Sequence, residues 1–118
     1  MQIKDIILLL DANLFCGKEM LSLTATGAFA SDLMSDVLAL VKDQNVLLTG
    51  LCNTQVLRTA EMLDMSCVIL VRGKKPSEEF IAMAENKGIC LLATNKTMFV
   101  SSGILYSNGL MGGATNVR

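Results

Sequence analysis

Three short apolar runs recur at a nearly constant interval in the middle of the chain. They begin at Val46, Cys67 and Ile89, 21–22 residues apart, and a helix-like pattern follows each one. Strand–helix–strand units of this length pair their strands in parallel through right-handed crossovers. The runs are continuously apolar, which is typical of strands that are covered on both faces. The sequence therefore predicts an α/β fold, with a mostly parallel sheet of four to five strands and helices on both faces.

The residues before this unit predict further elements. Apolar residues at helical spacing predict a helix over residues 2–11, with a strand over 6–10 as the alternative. Short strands are expected over 13–16 and 23–30. Ser31 follows the second of these strands and is expected to cap a helix over residues 32–42. This stretch would add one more strand–helix pair to the sheet.

Capping signals accompany the later helices. Asn53 or Thr54 is expected to cap the helix after the first run, and Ser77 the helix after the second run. Gly88 has the residue type that ends a helix in the left-handed conformation. A last helix is predicted over residues 97–108.

The length of 118 residues suits one domain, which we expect to span residues 1–110 with a flexible tail at 111–118. Apolar residues make up 52% of the chain and charged residues only 18%, more apolar material than a small monomer hides. We therefore expect a homodimer, whose contact face lies near the last helix around Phe99 and Leu105.

Several classes of function are disfavoured by composition. The net charge is −1, the chain has one Tyr and no Trp, and no basic cluster is present, so we expect no nucleic-acid partner. No apolar run approaches the roughly 18 residues of a membrane span, so we expect no membrane partner. The chain has no His and none of its four cysteines forms a C-x-x-C pair. We therefore expect a reduced, cytoplasmic protein without a metal or another cofactor.

The loops after the predicted strands provide the candidate ligand site. In a parallel α/β sheet these loops, at residues 27–32, 50–54, 72–76 and 93–97, gather at one edge. Helix amides and basic side chains there would suit a small anionic metabolite or the phosphate of a nucleotide. Equally, Ser, Thr and Asn at such positions serve as helix caps without any ligand. The candidate residues are Ser31, Asp32, Asn53, Thr54, Arg72, Lys74, Thr94 and Asn95.

One spacing points to a different chemistry. Cys52 and Arg58 form a C-x5-R pattern, which cysteine-dependent phosphatases use to hold phosphate beside a nucleophilic thiolate. The intervening residues include Val56 and Leu57, which suit the buried face of a helix better than a glycine-containing phosphate cradle. Cysteine phosphatase activity is therefore the least favoured alternative.

The run GAFASDLMSDV at residues 27–37 resembles the opening signature of DRTGG domains. Residues 49–64, 67–79 and 91–99 resemble the rest of that domain, and the resemblance extends over residues 3–110. It implies an α/β domain similar to the N-terminal domain of bacterial HPr kinase/phosphorylase. Related domains lie inside some phosphotransacetylases and between the CBS domains of some inorganic pyrophosphatases.

The resemblance implies a non-catalytic regulatory or dimer-forming module rather than an enzyme. Asn53 and Thr54 stand where relatives carry an Asp-Arg pair, and Arg72, Gly73 and Lys74 stand where relatives carry Thr-Gly-Gly. The fold is therefore implied, but no binding specificity is. The kinase activity of HPr kinase lies in another domain with a P-loop, a motif that this chain lacks. The alternative is a protein-interaction adaptor that binds no small ligand.

Overall fold

The computed structural model describes residues 1–113, which form five strands and five α-helices. A short 3-10 helix at Lys18–Met20 lies between β1 and β2. In chain order the elements are α1 (Ile3–Leu10), β1 (Asn13–Cys16), β2 (Ala28–Ala30), α2 (Met34–Leu40), β3 (Val46–Thr49), α3 (Thr54–Met62), β4 (Cys67–Leu70), α4 (Glu78–Asn86), β5 (Cys90–Ala93) and α5 (Met98–Ser107).

The five strands form one sheet in the order β1-β5-β4-β3-β2. Strands β2, β3, β4 and β5 are parallel, and the edge strand β1 is antiparallel to β5. The predicted α/β fold is therefore confirmed. The equal spacing of the apolar runs places Val46 beside Cys67 and Cys67 beside Cys90 in the register of the central strands.

Two apolar cores lie on the two faces of this sheet. Leu47, Val68 and Leu91 belong to one core, which they share with buried residues of α2, α3 and α4. The neighbouring strand positions project to the other core, which contains residues of α1 and α5. Because both faces are covered, every residue of β3, β4 and β5 is buried.

The predicted caps Asn53 and Ser77 are present, and Thr97, which was not predicted as a cap, caps α5. The side chains of Asn53, Ser77 and Thr97 accept hydrogen bonds from the backbone N–H of the residue three positions later. Gly88 follows α4 with a φ of 71°, the left-handed conformation that a C′ glycine adopts at low steric cost.

The prediction for Ser31 is wrong. Its N–H donates to the Leu48 carbonyl and so extends the pairing of β2 with β3. Its hydroxyl accepts from the Leu33 N–H, which forms a local turn before the helix. Helix α2 consequently begins at Met34 and is shorter than the predicted helix over 32–42.

The strand predicted over residues 23–30 is confirmed only at Ala28–Ala30. The residues before it are bonded to the turn that follows α2. The Thr26 N–H donates to Asn45 Oδ1 at 2.8 Å, and the Asn45 side-chain amide donates to the Thr24 carbonyl at 3.0 Å. These bonds replace the ladder that a longer strand would need.

The outer face of α5 is apolar, as expected, but its residues differ from those predicted. Phe99 is 88% exposed, whereas Leu105 is 1% exposed and belongs to the core. The expectation for Leu105 was therefore wrong. Among the described residues, no helix is both long and apolar enough to span a membrane. Most of the expected flexible tail, residues 114–118, lies outside the described residues.

Candidate functional site

The carboxyl ends of the parallel strands carry the predicted candidate residues, as the topology requires. The structure divides them into two groups. Asp32 and Arg72 meet over the loop after β3, and we call this group the closed half. Lys74, Thr94 and Asn95 line an open groove beside β5, which we call the lysine groove.

In the closed half the Asp32 carboxylate occupies the place where an external anion was expected. One carboxylate oxygen accepts from the Gly50 N–H at 2.6 Å and from the Thr49 hydroxyl at 3.0 Å. The predicted helix over residues 32–42 placed Asp32 in its first turn, and this was wrong. Asp32 precedes α2, and its carboxylate reaches the loop after β3 instead. This part of the edge already holds a negative charge.

Arg72 completes the closed half. Its guanidinium lies 3.7 Å from the second carboxylate oxygen of Asp32, and both side chains are half-exposed. Gly50 lies directly under this guanidinium, since a Cβ atom on Gly50 would come within 2.9 Å of Arg72 Cζ. The absence of a side chain at Gly50 therefore lets Arg72 lie across the loop toward Asp32.

The other two candidates near this half belong to the start of α3. Asn53 caps the helix through the Val56 N–H at 3.4 Å, so its side-chain oxygen is in use. Thr54 is the first residue of α3 and is exposed. For Asn53 the capping interpretation of the sequence is therefore the one that the contacts support.

The lysine groove has a volume of about 450 Å³, within the range of about 300–1,000 Å³ that is usual for small-molecule sites. Its lining comes from β1, from the loop after β4 and from the end of β5. The lining residues are Asn13, Phe15, Gly73, Lys74, Lys75, Pro76, Ala93, Thr94 and Asn95.

Backbone hydrogen bonds fix the loop that carries the lysines. Arg72 and Gly73 both adopt positive φ, 66° and 72°, so the chain turns sharply after β4. The Arg72 N–H donates to the Lys96 carbonyl at 2.8 Å, and the Gly73 N–H donates to the Thr94 carbonyl at 3.0 Å. Thr94 itself is buried, and its hydroxyl donates to the Leu10 carbonyl at 2.7 Å. Backbone hydrogen bonds therefore hold the loop that lines the groove in place.

The groove is electropositive. Lys74 and Lys75 are both exposed, and among residues 1–113 no Asp or Glu oxygen lies within 4.0 Å of either Nζ atom. The lining contains no carboxylate. Glu78 and Glu79 lie nearby in sequence, but they occupy the first turn of α4 and are not part of the lining. An anion is the ligand that these charges favour.

Sequence reasoning missed Asn13 and Phe15 as groove residues. Because β1 is antiparallel to β5, the first residue of β1 lies at the edge where the parallel strands end, and Asn13 pairs with Ala93. The register then shifts between Leu14 and Cys16, which leaves Phe15 as the extra residue of a β-bulge. Only knowledge of the strand direction could have placed these residues beside Lys74.

The C-x5-R pattern does not form a phosphate cradle. Arg58 lies inside α3, and the Val56 N–H, which falls between the two pattern residues, is used by Asn53. Burial raises the pKa of the Cys52 thiol above its ordinary value, and the opposing effect of Lys74 is smaller. A nucleophilic cysteine needs a lowered pKa. Neither the position of Arg58 in α3 nor the raised pKa of Cys52 supports phosphatase chemistry.

The remaining cysteines lie in the two apolar cores. Cys16, Cys67 and Cys90 are buried. Within residues 1–113 no three Cys, Asp or Glu side chains are grouped so that they could hold a metal ion. Burial in an apolar core is the ordinary environment of a free cysteine.

Comparison with solved structures shows the fold in another protein. The chain is similar to the CBS and DRTGG domains of the regulatory region of Clostridium perfringens pyrophosphatase, crystallised with its activator diadenosine tetraphosphate. The TM-score is 0.73 at 18% identity, over 99% of this chain and 53% of that one. This chain thus spans about half of that regulatory region. The likeness supports the DRTGG-related fold that the sequence resemblance implies. No protein-family model matches the sequence, and no curated protein matches it.

Proposed function

We propose that this chain is a non-catalytic regulatory domain that senses a small anionic ligand at the lysine groove. The observation that carries the proposal is the pair of exposed lysines, Lys74 and Lys75, on a tethered loop beside a groove of about 450 Å³. The similar pyrophosphatase region supports a regulatory role, since that region was crystallised with a nucleotide activator. The closed half makes no direct contact with the ligand, because Asp32 already occupies it.

A thermal-shift titration with pyrophosphate tests the ligand-sensing role. A ligand present at one hundred times its dissociation constant stabilises a protein by about 2.7 kcal/mol, which is several degrees for a domain of this size. We expect pyrophosphate to raise the melting temperature of the wild type and of Lys42→Ala. Lys42 is exposed between α2 and β3, at the amino ends of the parallel strands, whereas the groove lies at their carboxyl ends.

The double variant Lys74→Ala/Lys75→Ala should lose this response while it melts at the same temperature as the wild type without ligand. An unchanged response in the double variant would remove the groove as the anion site. A wild type that does not respond to pyrophosphate or to nucleotides would contradict the ligand-sensing role altogether.

We propose further that the domain forms a homodimer through the outer face of α5. Phe99 and Tyr106 are 88% and 64% exposed, and Leu8 on the adjoining α1 is 80% exposed. The ten residues of α5 include no charged residue. A second copy suits this face, because two uncharged surfaces meet about a twofold axis without like-charge repulsion. Gly103, also exposed, leaves room for close approach of the two helices.

Light scattering on purified protein tests the dimer. The wild type should have twice the chain mass of 12.7 kDa, and Phe99→Glu should have the mass of one chain. Met62→Glu is the matched control, since Met62 is also a large exposed apolar residue but lies on α3, which packs on the other face of the sheet. A monomeric wild type would contradict the dimer.

The apolar face of α5 also supports the alternative role of a protein-interaction adaptor. An adaptor would be monomeric when purified and would show no thermal response to pyrophosphate or nucleotides. The two measurements described above therefore separate the two functions. A dimer with a ligand response favours the sensor, and a monomer without one favours the adaptor.

A further inference from the structure

We propose that the lysine groove takes a phosphorylated ligand with a planar aromatic ring, of which a nucleotide is the simplest example. The ring would lie against Phe15, and the phosphate groups would lie at Lys74 and Lys75. This inference rests on the proposed function, because it names the ligand class of the same groove. It adds a recognition element that an inorganic anion does not use.

Phe15 offers the surface on which a ring could pack. Its side chain lines the groove and is half-buried against the core that α2, α3 and α4 cover. Such an anchored ring loses little freedom when a ligand packs on it, so it forms a ready surface for a second ring.

A β-bulge in β1 lies beside the groove. In a regular strand Phe15 and Cys16 would project to opposite faces of the sheet. Here both pack against the same core, and the register shift between Leu14 and Cys16 makes room for the additional residue. Bulges redirect side chains and are common beside binding sites. Alternation from Leu14, which packs in the opposite core, already places Phe15 on the groove side, and the bulge turns Cys16 into the core against which Phe15 packs.

The other lining residues include polar and charged side chains. Asn13 and Asn95 each bring an amide that both donates and accepts, and neither forms a side-chain hydrogen bond with another residue of 1–113. Amides of this kind suit the polar edge of a base or the hydroxyls of a sugar. The lysines suit phosphate. A ring, a polar middle and a charged end are the parts of a nucleotide.

The test compares ligands that share the anion and differ in the ring. Pyrophosphate, ADP and UDP are titrated by calorimetry into the wild type, Phe15→Leu and Phe29→Leu. Phe29 is the matched control, because it too is half-buried against the same core but lies on the opposite edge strand β2. We expect at least one nucleotide to bind about tenfold more tightly than pyrophosphate, the gain typical of one stacked base. Phe15→Leu should abolish that advantage, so that the nucleotide and pyrophosphate bind this variant with similar affinity.

The outcomes separate this inference from the proposed function. If pyrophosphate binds through Lys74 and Lys75 but neither nucleotide binds more tightly, the ring site is wrong and the anion sensor stands. The ring site is equally wrong if Phe29→Leu, and not Phe15→Leu, removes the advantage. If none of the three probes binds, both proposals fail.

A measurement on the wild type covers the case in which Phe15→Leu does not fold. With ADP, backbone amide resonances should shift in residues 13–16, 73–75 and 94–95. Shifts confined to 73–75 would indicate phosphate contact without a ring site and would overturn the inference.

Discussion

The carboxylate of Asp32 and the backbone N–H of Gly50 form a 2.6 Å hydrogen bond across the carboxyl ends of β2 and β3. A helix N-terminal loop such as the one at Gly50 attracts anions, and here the chain supplies its own. This contact explains why the closed half of the predicted ligand site already contains a negative charge. It also makes Asp32 a structural residue, with consequences for stability.

Asp32→Ala should destabilise the domain by about 1.5 kcal/mol in urea unfolding, the usual size of a lost hydrogen bond to a charged group. The Gly50 N–H and the buried Thr49 hydroxyl would both lose their acceptor. Asp36→Ala is the control, because Asp36 is exposed in the first turn of α2 and forms no ion pair within residues 1–113. Equal losses for the two variants would contradict the assigned role of Asp32.

Gly50→Ala should separate Arg72 from Asp32. The new methyl group would overlap the guanidinium, whose flexible side chain can swing away. Since a half-exposed ion pair contributes at most about 1 kcal/mol, the loss in unfolding free energy should be of that size or less. In the Arg72→Ala background the same substitution should cost nearly nothing, which a double-mutant cycle measures. A cost that is equal in both backgrounds would mean that the backbone, and not Arg72, resists the methyl group.

The central strands and most caps could be predicted because their signals are local. Val46–Thr49 begins with a continuous apolar run, which is typical of a strand that is covered on both faces. Asn53 and Ser77 cap helices whose first amides lie three residues away. The residue that accepts and the amide that donates are within one helical turn of each other in both caps.

The closed half and the aromatic end of the groove could not be predicted, because their contacts are long-range. Asp32 follows a capping-type serine, and nothing within one turn of it points to Gly50, 18 residues later. Phe15 reaches the lysine groove because β1 runs antiparallel to β5, and the register shift after Leu14 turns Cys16 into the same core. Neither the direction of an edge strand nor a one-residue register shift has a local sequence signal.

Ser101→Ala should stabilise the protein. Ser101 is fully buried in α5, and its hydroxyl has no hydrogen-bond partner within residues 1–113. Removing a buried, unsatisfied hydroxyl recovers about 1 kcal/mol or more, beyond the gain in helix propensity from Ser to Ala. Ser107→Ala has the same propensity gain but loses a bond to the Gly103 carbonyl, so it is the matched control. Equal changes in unfolding free energy would show that Ser101 finds a partner.

Alkylation of Cys52 by iodoacetamide should show a higher pH midpoint in the folded protein than in the urea-unfolded chain. Burial raises the pKa of this thiol from its ordinary value, so less reactive thiolate is present at pH 8 than in a free cysteine. Lys74 lowers the pKa by a smaller amount, and Lys74→Ala should therefore slow the reaction further, whereas Lys75→Ala should not. Cys52 is the one exposed cysteine of the chain, so labelling of native protein followed by mass spectrometry reports on it alone. A midpoint lower in the folded protein than in the unfolded chain would revive the hypothesis of a nucleophilic Cys52 paired with Arg58.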